Sequence, residues 1–129
     1  MRLTVFHNSE IEPLWQSSLE KLINPLAFEM LKEAGDVHLA VFNDGVVGIS
    51  ITKDNEITFL KVRDITRRRG VGKYLLEETC NFIADLGFEK TYIDTKRFPN
   101  EELDGLIYFL EMQGFEKSAH DSSIYEYNQ

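Results

Sequence analysis

Four basic side chains and two glycines stand together in Arg67-Arg68-Arg69-Gly70-Val71-Gly72-Lys73, a composition suited to holding an anion. Glycine lets the backbone approach a ligand closely, while Arg and Lys answer several negative charges at once. The preceding run, Ile57-Thr58-Phe59-Leu60-Lys61-Val62, alternates like a strand, and the run after it, from Tyr74 through Glu78, takes helical spacing. The glycines therefore fall where a strand hands over to a helix. There the unpaired N–H groups and the positive end of the helix dipole face the same point, a geometry that binds phosphate.

Other reactive residue types are scattered. His7, His38 and His120 lie far apart in sequence, so no metal site is expected, and His38 reads as a half-exposed strand residue. Cys80 is the one cysteine; it excludes an internal disulfide or a cysteine metal site and reads as a small core residue. Glu56, Asp64 and Asp94 are conceivable bases, although carboxylates in and beside strands ordinarily face water.

The charge balance narrows the anion. Residues 61–73 carry six basic side chains against Asp64, a balance of +5, whereas the remaining 8 basic and 21 acidic groups give −13 and the whole chain −8. A small basic island in an acidic chain suits a compact polyanion such as a pyrophosphate better than a nucleic-acid duplex, which needs a broad basic face. No apolar run is long enough to span a bilayer and the start, Met1 to Phe6, is strand-like, so a cytoplasmic location is expected.

At 129 residues and 43% hydrophobic content, a single domain spanning 1–129 is expected. A strand over residues 2–6 precedes Ser9-Glu10-Ile11-Glu12, which has the form of a capping box. The spacing predicts a helix from there to about Ile23, with Leu14, Trp15, Leu19, Leu22 and Ile23 on its buried face. Asn24-Pro25 opens a second helix, Leu26 to Ala34, with Gly35 placed to end it. Strands Val37–Phe42, Val46–Ile51 and Ile57–Val62 then form an antiparallel meander through turns at Asn43-Asp44-Gly45 and Lys53-Asp54-Asn55. The helix after the glycines places Leu75, Leu76, Thr79, Ile83 and Leu86 on one side and ends at Gly87. Strand Lys90–Thr95 must lie parallel to its predecessor through a right-handed crossover. A last helix, capped at Asn100 with Glu101 and Glu102 in its first turn, closes at Gly114 before a hairpin over Phe115–Ala119 and Ser123–Tyr127.

The loop fits neither familiar nucleotide fingerprint. It lacks the third glycine of a Rossmann turn, and Lys73 is followed by Tyr74 instead of the Ser or Thr of a P-loop. Arg67-Arg68-Arg69-Gly70-Val71-Gly72, five residues after Val62, resembles motif A of the GCN5-related N-acetyltransferases (GNATs), Arg/Gln-x-x-Gly-x-Gly/Ala, and the order of elements agrees along the whole chain. The resemblance implies an α/β GNAT acyl-CoA N-acyltransferase fold, a mixed and mostly antiparallel sheet with splayed central strands flanked by helices. It further implies that acetyl-CoA, or coenzyme A, is the ligand. Leu60, Lys61 and Val62 would then offer backbone groups to the acetyl and pantetheine end, and Thr66, Arg67, Arg68, Arg69, Gly70, Val71, Gly72 and Lys73 would hold the phosphates.

One position departs from the transferases. Many of them carry a Tyr four residues before the Gly-Phe pair that ends the last helix, and its hydroxyl protonates the leaving thiolate. Here Leu110 stands there, and Tyr108 is about 200° round the helix from it. Lys61 through Glu78, with Met1-Arg2-Leu3-Thr4 and Phe42-Asn43, resembles more narrowly the PanD maturation and regulatory factors of the PanZ (PanM) family, which also lack that Tyr. That family binds acetyl-CoA as a signal, promotes self-cleavage of the aspartate 1-decarboxylase zymogen PanD and restrains the mature enzyme. Asn43 matches an Asn that the family turns toward PanD, whereas the Arg two positions before it is Val41 here. The alternative is an N-acetyltransferase acting on a small-molecule or peptide amine.

Overall fold

Alternating apolar residues between Asp36 and Val62 build the centre of a seven-stranded sheet whose strand order is β1-β2-β3-β4-β5-β7-β6. The computed structural model describes residues 3–63 and 70–129. Its strands are β1 (Thr4–His7), β2 (Asp36–Phe42), β3 (Gly45–Lys53), β4 (Glu56–Val62), β5 (Lys90–Asp94), β6 (Glu116–Lys117) and β7 (Ile124–Asn128). The helices are α1 (Gln16–Glu20), α2 (Pro25–Ala34), α3 (Val71–Asp85) and α4 (Asn100–Met112). All neighbours are antiparallel except β4 and β5, which are parallel as the crossover requires.

The two faces of the sheet carry separate cores. On one, Trp15, Leu19, Leu22, Ile23 and Phe28 from the α1–α2 region meet Val37, Leu39, Ile49 and Ile51. On the other, α3 and α4 share a cluster with β5 and β7 that includes Leu76, Ile83, Ile93, Leu110 and Tyr125. Ser50 on β3 is tied to α3 by a 2.7 Å hydrogen bond to Thr79, whose hydroxyl also donates to the Leu75 carbonyl. Among the described residues no buried side-chain polar atom lacks a partner, as a well-determined core demands.

A bulge re-phases β4. Ile51 pairs with Phe59 and Thr52 with Ile57, so Thr58 is the extra residue, and its hydroxyl donates to the Ile51 carbonyl at 3.1 Å. Strict alternation would place Ile57, Phe59 and Lys61 on one face. With the extra residue, Ile57 and Leu60 join the α3–α4 side while Phe59 packs on the α1–α2 side.

Several expected details differ. The capping box does not form: Ser9 Oγ lies 3.4 Å from the Glu10 carbonyl, and the first helix is a 3₁₀ turn over Pro13–Trp15 running into the short α1. Leu14 is consequently exposed, as is Leu86, the residue that ends α3. Gly35 follows α2 in extended conformation (φ −154°), not as a left-handed cap. A Cβ there would collide with the Thr52 carbonyl, so close strand approach explains the glycine. The residue before α4 in cap position is Pro99, and Asn100 is already helical. Asn24 caps α2 as expected, accepting from the N–H groups of Leu26 and Ala27.

Candidate functional site

The separation of β4 from β5 creates the site. The two strands pair only at Glu56↔Tyr92 and Ile57↔Ile93; β5 then ends at Asp94 and turns away through a 3₁₀ turn over Thr95–Arg97, while β4 continues to Val62. The split begins beside the Thr58 bulge. Among the described residues, Phe59 to Val62 thus have a strand neighbour on the β3 side only, leaving backbone donors and acceptors directed into the gap.

That gap is a cleft of about 440 Å³, lined by Leu60, Lys61 and Val62 from β4, Gly72 from α3, and Phe98, Glu101, Glu102, Gly105, Leu106 and Phe109 from α4 and its approach. Its size and mixed lining lie within the usual range for small-molecule sites. The expected residues Leu60, Lys61, Val62 and Gly72 therefore line one cleft. Residues 66–69, named with them, lie outside the described residues.

Gly70 and Gly72 have different reasons to be glycine. Gly70 caps α3 in left-handed conformation, φ +76°, and nothing lies within 4 Å of a Cβ built on it; the requirement is conformational. A Cβ on Gly72 would instead lie 3.3 Å from Phe109 Cζ and 3.6 Å from Val62 Cγ2. Gly72 is thus a point of close approach among α3, β4 and α4. Among the described residues no side chain caps α3, and its first turn holds no acid, an arrangement that suits an anion at this end of the cleft.

The other loop residues divide. Val71 is buried with Ala40, Val47 and Leu75, which leaves only its backbone to face a ligand. Lys73 is exposed on the first turn of α3. Asn43 is exposed at the tip of the β2–β3 hairpin, where Asn43 (φ 53°) and Asp44 (φ 60°) form a two-residue turn of the type that favours Asn.

No conceivable base read from sequence lines the cleft among the described residues. Glu56 accepts from Arg97 Nε at 2.6 Å and from the Tyr92 hydroxyl at 3.4 Å; that hydrogen bond holds Arg97 above its ordinary pKa, and burial followed by the Glu56 charge raises Tyr92. The Asp94 carboxylate caps the turn at Lys96, and Asp64 lies outside the described residues. Leu110 is fully buried in the α3–α4 core, and Tyr108 points to solvent at 68% exposure. Glu101 and Glu102 stand in the first turn of α4 as the sequence predicts, and they also line the cleft, with Glu102 Oε2 3.9 Å from Lys61 Nζ. Their helix-start role concealed this, because the cleft wall arises only when α4 packs across the end of β4.

His7 and His38, far apart in sequence, meet with Nδ1 to Nδ1 at 2.7 Å because β1 and β2 pair in that register. His38 is fully buried, not half-exposed, with Nε2 2.9 Å from the Thr52 hydroxyl and its ring edge-on to Phe82. Burial, and then the His7 charge, lower its pKa from 6.5 to about 3. Among the described residues no three metal-binding side chains converge.

The sheet order, the β4–β5 split and the uncapped α3 define the GNAT fold. The structure superposes on that of E. coli YhhK bound to coenzyme A with a TM-score of 0.77 at 22% identity over 100% of both chains. A GNAT family acetyltransferase from Elizabethkingia anophelis with acetyl-CoA bound gives 0.75 at 15% identity over 98% of each. Residues 12–123 match the PanZ acetyltransferase (GNAT) domain family, and the chain belongs to it. The PanD regulatory factor of Salmonella typhimurium is 31% identical over 103 residues, 69% of this chain and 81% of that protein. The E. coli PanD regulatory factor is 37% identical over 65 residues, 41% of this chain and 51% of that one.

Proposed function

We infer that this chain is a cytoplasmic single-domain regulator that binds acetyl-CoA and, when loaded, engages aspartate 1-decarboxylase PanD to promote its maturation and restrain the mature enzyme. The observation that carries this reading is a cleft with the means to bind but no phenol at the position of acid catalysis: Leu110 is buried in the core behind it. Two relatives that are PanD regulatory factors support the partner. Relatives of the same fold that hold coenzyme A or acetyl-CoA support the ligand.

In this reading Leu60, Lys61 and Val62 offer the unpaired edge of β4 to the amide groups of the pantetheine arm, with Phe98, Leu106 and Phe109 forming the apolar wall opposite. Thr66, Arg67, Arg68, Arg69, Gly70, Val71, Gly72 and Lys73 hold the phosphates, the glycines and Val71 through the backbone and the cations through charge. The exposed Asn43 contributes to the PanD surface. Mixing the protein with PanD zymogen and acetyl-CoA tests the reading: self-cleavage accelerates only when both are present, and an unchanged cleavage rate contradicts it.

One observation favours a second reading, an N-acetyltransferase acting on a small-molecule or peptide amine: two carboxylates, Glu101 and Glu102, do reach the cleft. Coenzyme A release measured across a panel of amines distinguishes it. Release stimulated by any amine supports transfer; persistent silence leaves the regulator.

A further inference from the structure

We propose that the ion pair between Arg97 and Glu56 sets the width of the cleft, which makes both of them positioning residues for the coenzyme A ligand; this deepens the coenzyme A reading above and rests on it. Neither side chain lines the cleft. They stand at its closed end, where β4 and β5 part.

The cleft has the form of a V. One arm is β4, and the other is the chain that leaves β5 at Asp94 and returns as Phe98 and α4. An unpaired strand edge is a template for another strand, so the residues after Asp94 would continue β5 along β4 and fill the gap unless something held them away. The Asp94 carboxylate accepts from the Lys96 N–H at 3.0 Å, and Thr95 donates to the Ser123 carbonyl from both its N–H (2.9 Å) and its hydroxyl (2.6 Å). Those bonds bend the chain and fasten it toward β7. They open the V without fixing how far.

Arg97 supplies the opposing tie. Its guanidinium donates to the Glu56 carboxylate from Nε at 2.6 Å and from Nη2 at 3.4 Å, a two-point contact that restricts orientation as well as distance. Glu56 begins β4 and pairs with Tyr92, in the stretch where the two strands are still joined. Directly after Arg97 comes Phe98, a buried ring in the cleft wall, and α4 starts two residues further on. A shift of Arg97 therefore moves Phe98, Leu106 and Phe109 together relative to β4. The Glu56 side chain keeps only 12% of its exposure, so loss of Arg97 leaves a carboxylate largely out of water with the Tyr92 hydroxyl at 3.4 Å. A buried charge without its partner is costly, and the turn then moves to relieve it.

Coenzyme A binding, measured by calorimetry well below the melting temperature of each variant, separates positioning from two simpler roles. Coenzyme A is an anion, so a bare charge effect gives opposite signs: Arg97→Met weakens binding and Glu56→Met tightens it. A pair that only stabilised the fold lowers the melting temperature and leaves the affinity of the folded protein alone, as Leu22→Ala in the core on the other face should do. Positioning predicts that Arg97→Met and Glu56→Met each weaken binding about fivefold or more, and that the double variant is no weaker than the singles, since one contact is lost in all three. Arg97→Lys, which keeps the charge but not the two-point contact, should fall between them and the unaltered protein. Unchanged affinity in both Met variants, or shifts of opposite sign, overturns the proposal while leaving coenzyme A binding by the unaltered protein in place. Where a Met variant does not fold, Arg97→Lys decides alone, and an unchanged affinity there overturns the proposal. Failure of the unaltered protein to bind coenzyme A overturns the coenzyme A reading and this proposal together.

Discussion

Phe109 on α4 lies 3.3 Å from the point where any side chain at Gly72 would begin, with Val62 of β4 only slightly farther. Gly72 therefore sets how closely three walls of the cleft approach. Gly72→Val is expected to displace Phe109 into the cleft, costing about 1–3 kcal/mol of stability through overpacking and weakening coenzyme A about tenfold or more. Adding Phe109→Leu should recover part of both losses. Thermal unfolding and calorimetry measure them; unchanged values for Gly72→Val contradict the placement.

The His38 imidazole makes stability depend on pH. Its folded pKa of about 3 lies below the ordinary histidine value of 6.5, so between those values the unfolded chain binds the extra proton and the folded one does not. Stability is complete above about 6.5 and falls as pH drops toward 3, by up to about 1.4 kcal/mol per pH unit from this group. Chemical denaturation at several pH values should show that slope, flattened in His38→Gln. An identical slope in the variant would remove His38 as its source.

Cys80 is buried, and that burial raises its pKa to about 11, with the Glu77 charge adding to the rise and a hydrogen bond to Thr91 opposing it. The nucleophilic thiolate is therefore scarce at neutral pH. A disulfide reagent at pH 8 should label the native protein slowly and the denatured protein at once. Rapid labelling of the native state would be inconsistent with the packed thiol.

Leu110 sits fully buried against the core that joins α3 to β5. Restoring the transferase side chain by Leu110→Tyr should cost about 2–4 kcal/mol, combining overpacking with a buried hydroxyl that has no partner. It should confer no amine-dependent coenzyme A release. A stable variant that gains release would show that one side chain separates this protein from a transferase.

The sheet, its parallel pair and the strand-to-helix handover at Val62–Val71 were legible because each rests on local pattern: alternation, turn residues, helical spacing. The cleft's β4 wall, Leu60 to Val62, was legible only through the resemblance of the loop after it to the GNAT motif. Its α4 wall was not, since Glu101, Glu102 and Phe109 read as a capped amphipathic helix until that helix is laid across β4. The Thr58 bulge left no mark in a run that alternates acceptably without it. The His7–His38 pair depended on strand register, and the Ser9 capping box failed because Pro13 starts a 3₁₀ turn in place of a longer α-helix.

Regulation by the loaded ligand is tested most sharply by the affinity of this protein for PanD, measured by calorimetry with and without saturating acetyl-CoA. A tight complex is expected with acetyl-CoA and one at least about tenfold weaker without it, a coupling of roughly 1.4 kcal/mol or more. Equal affinity in both conditions, or no complex in either, would contradict it.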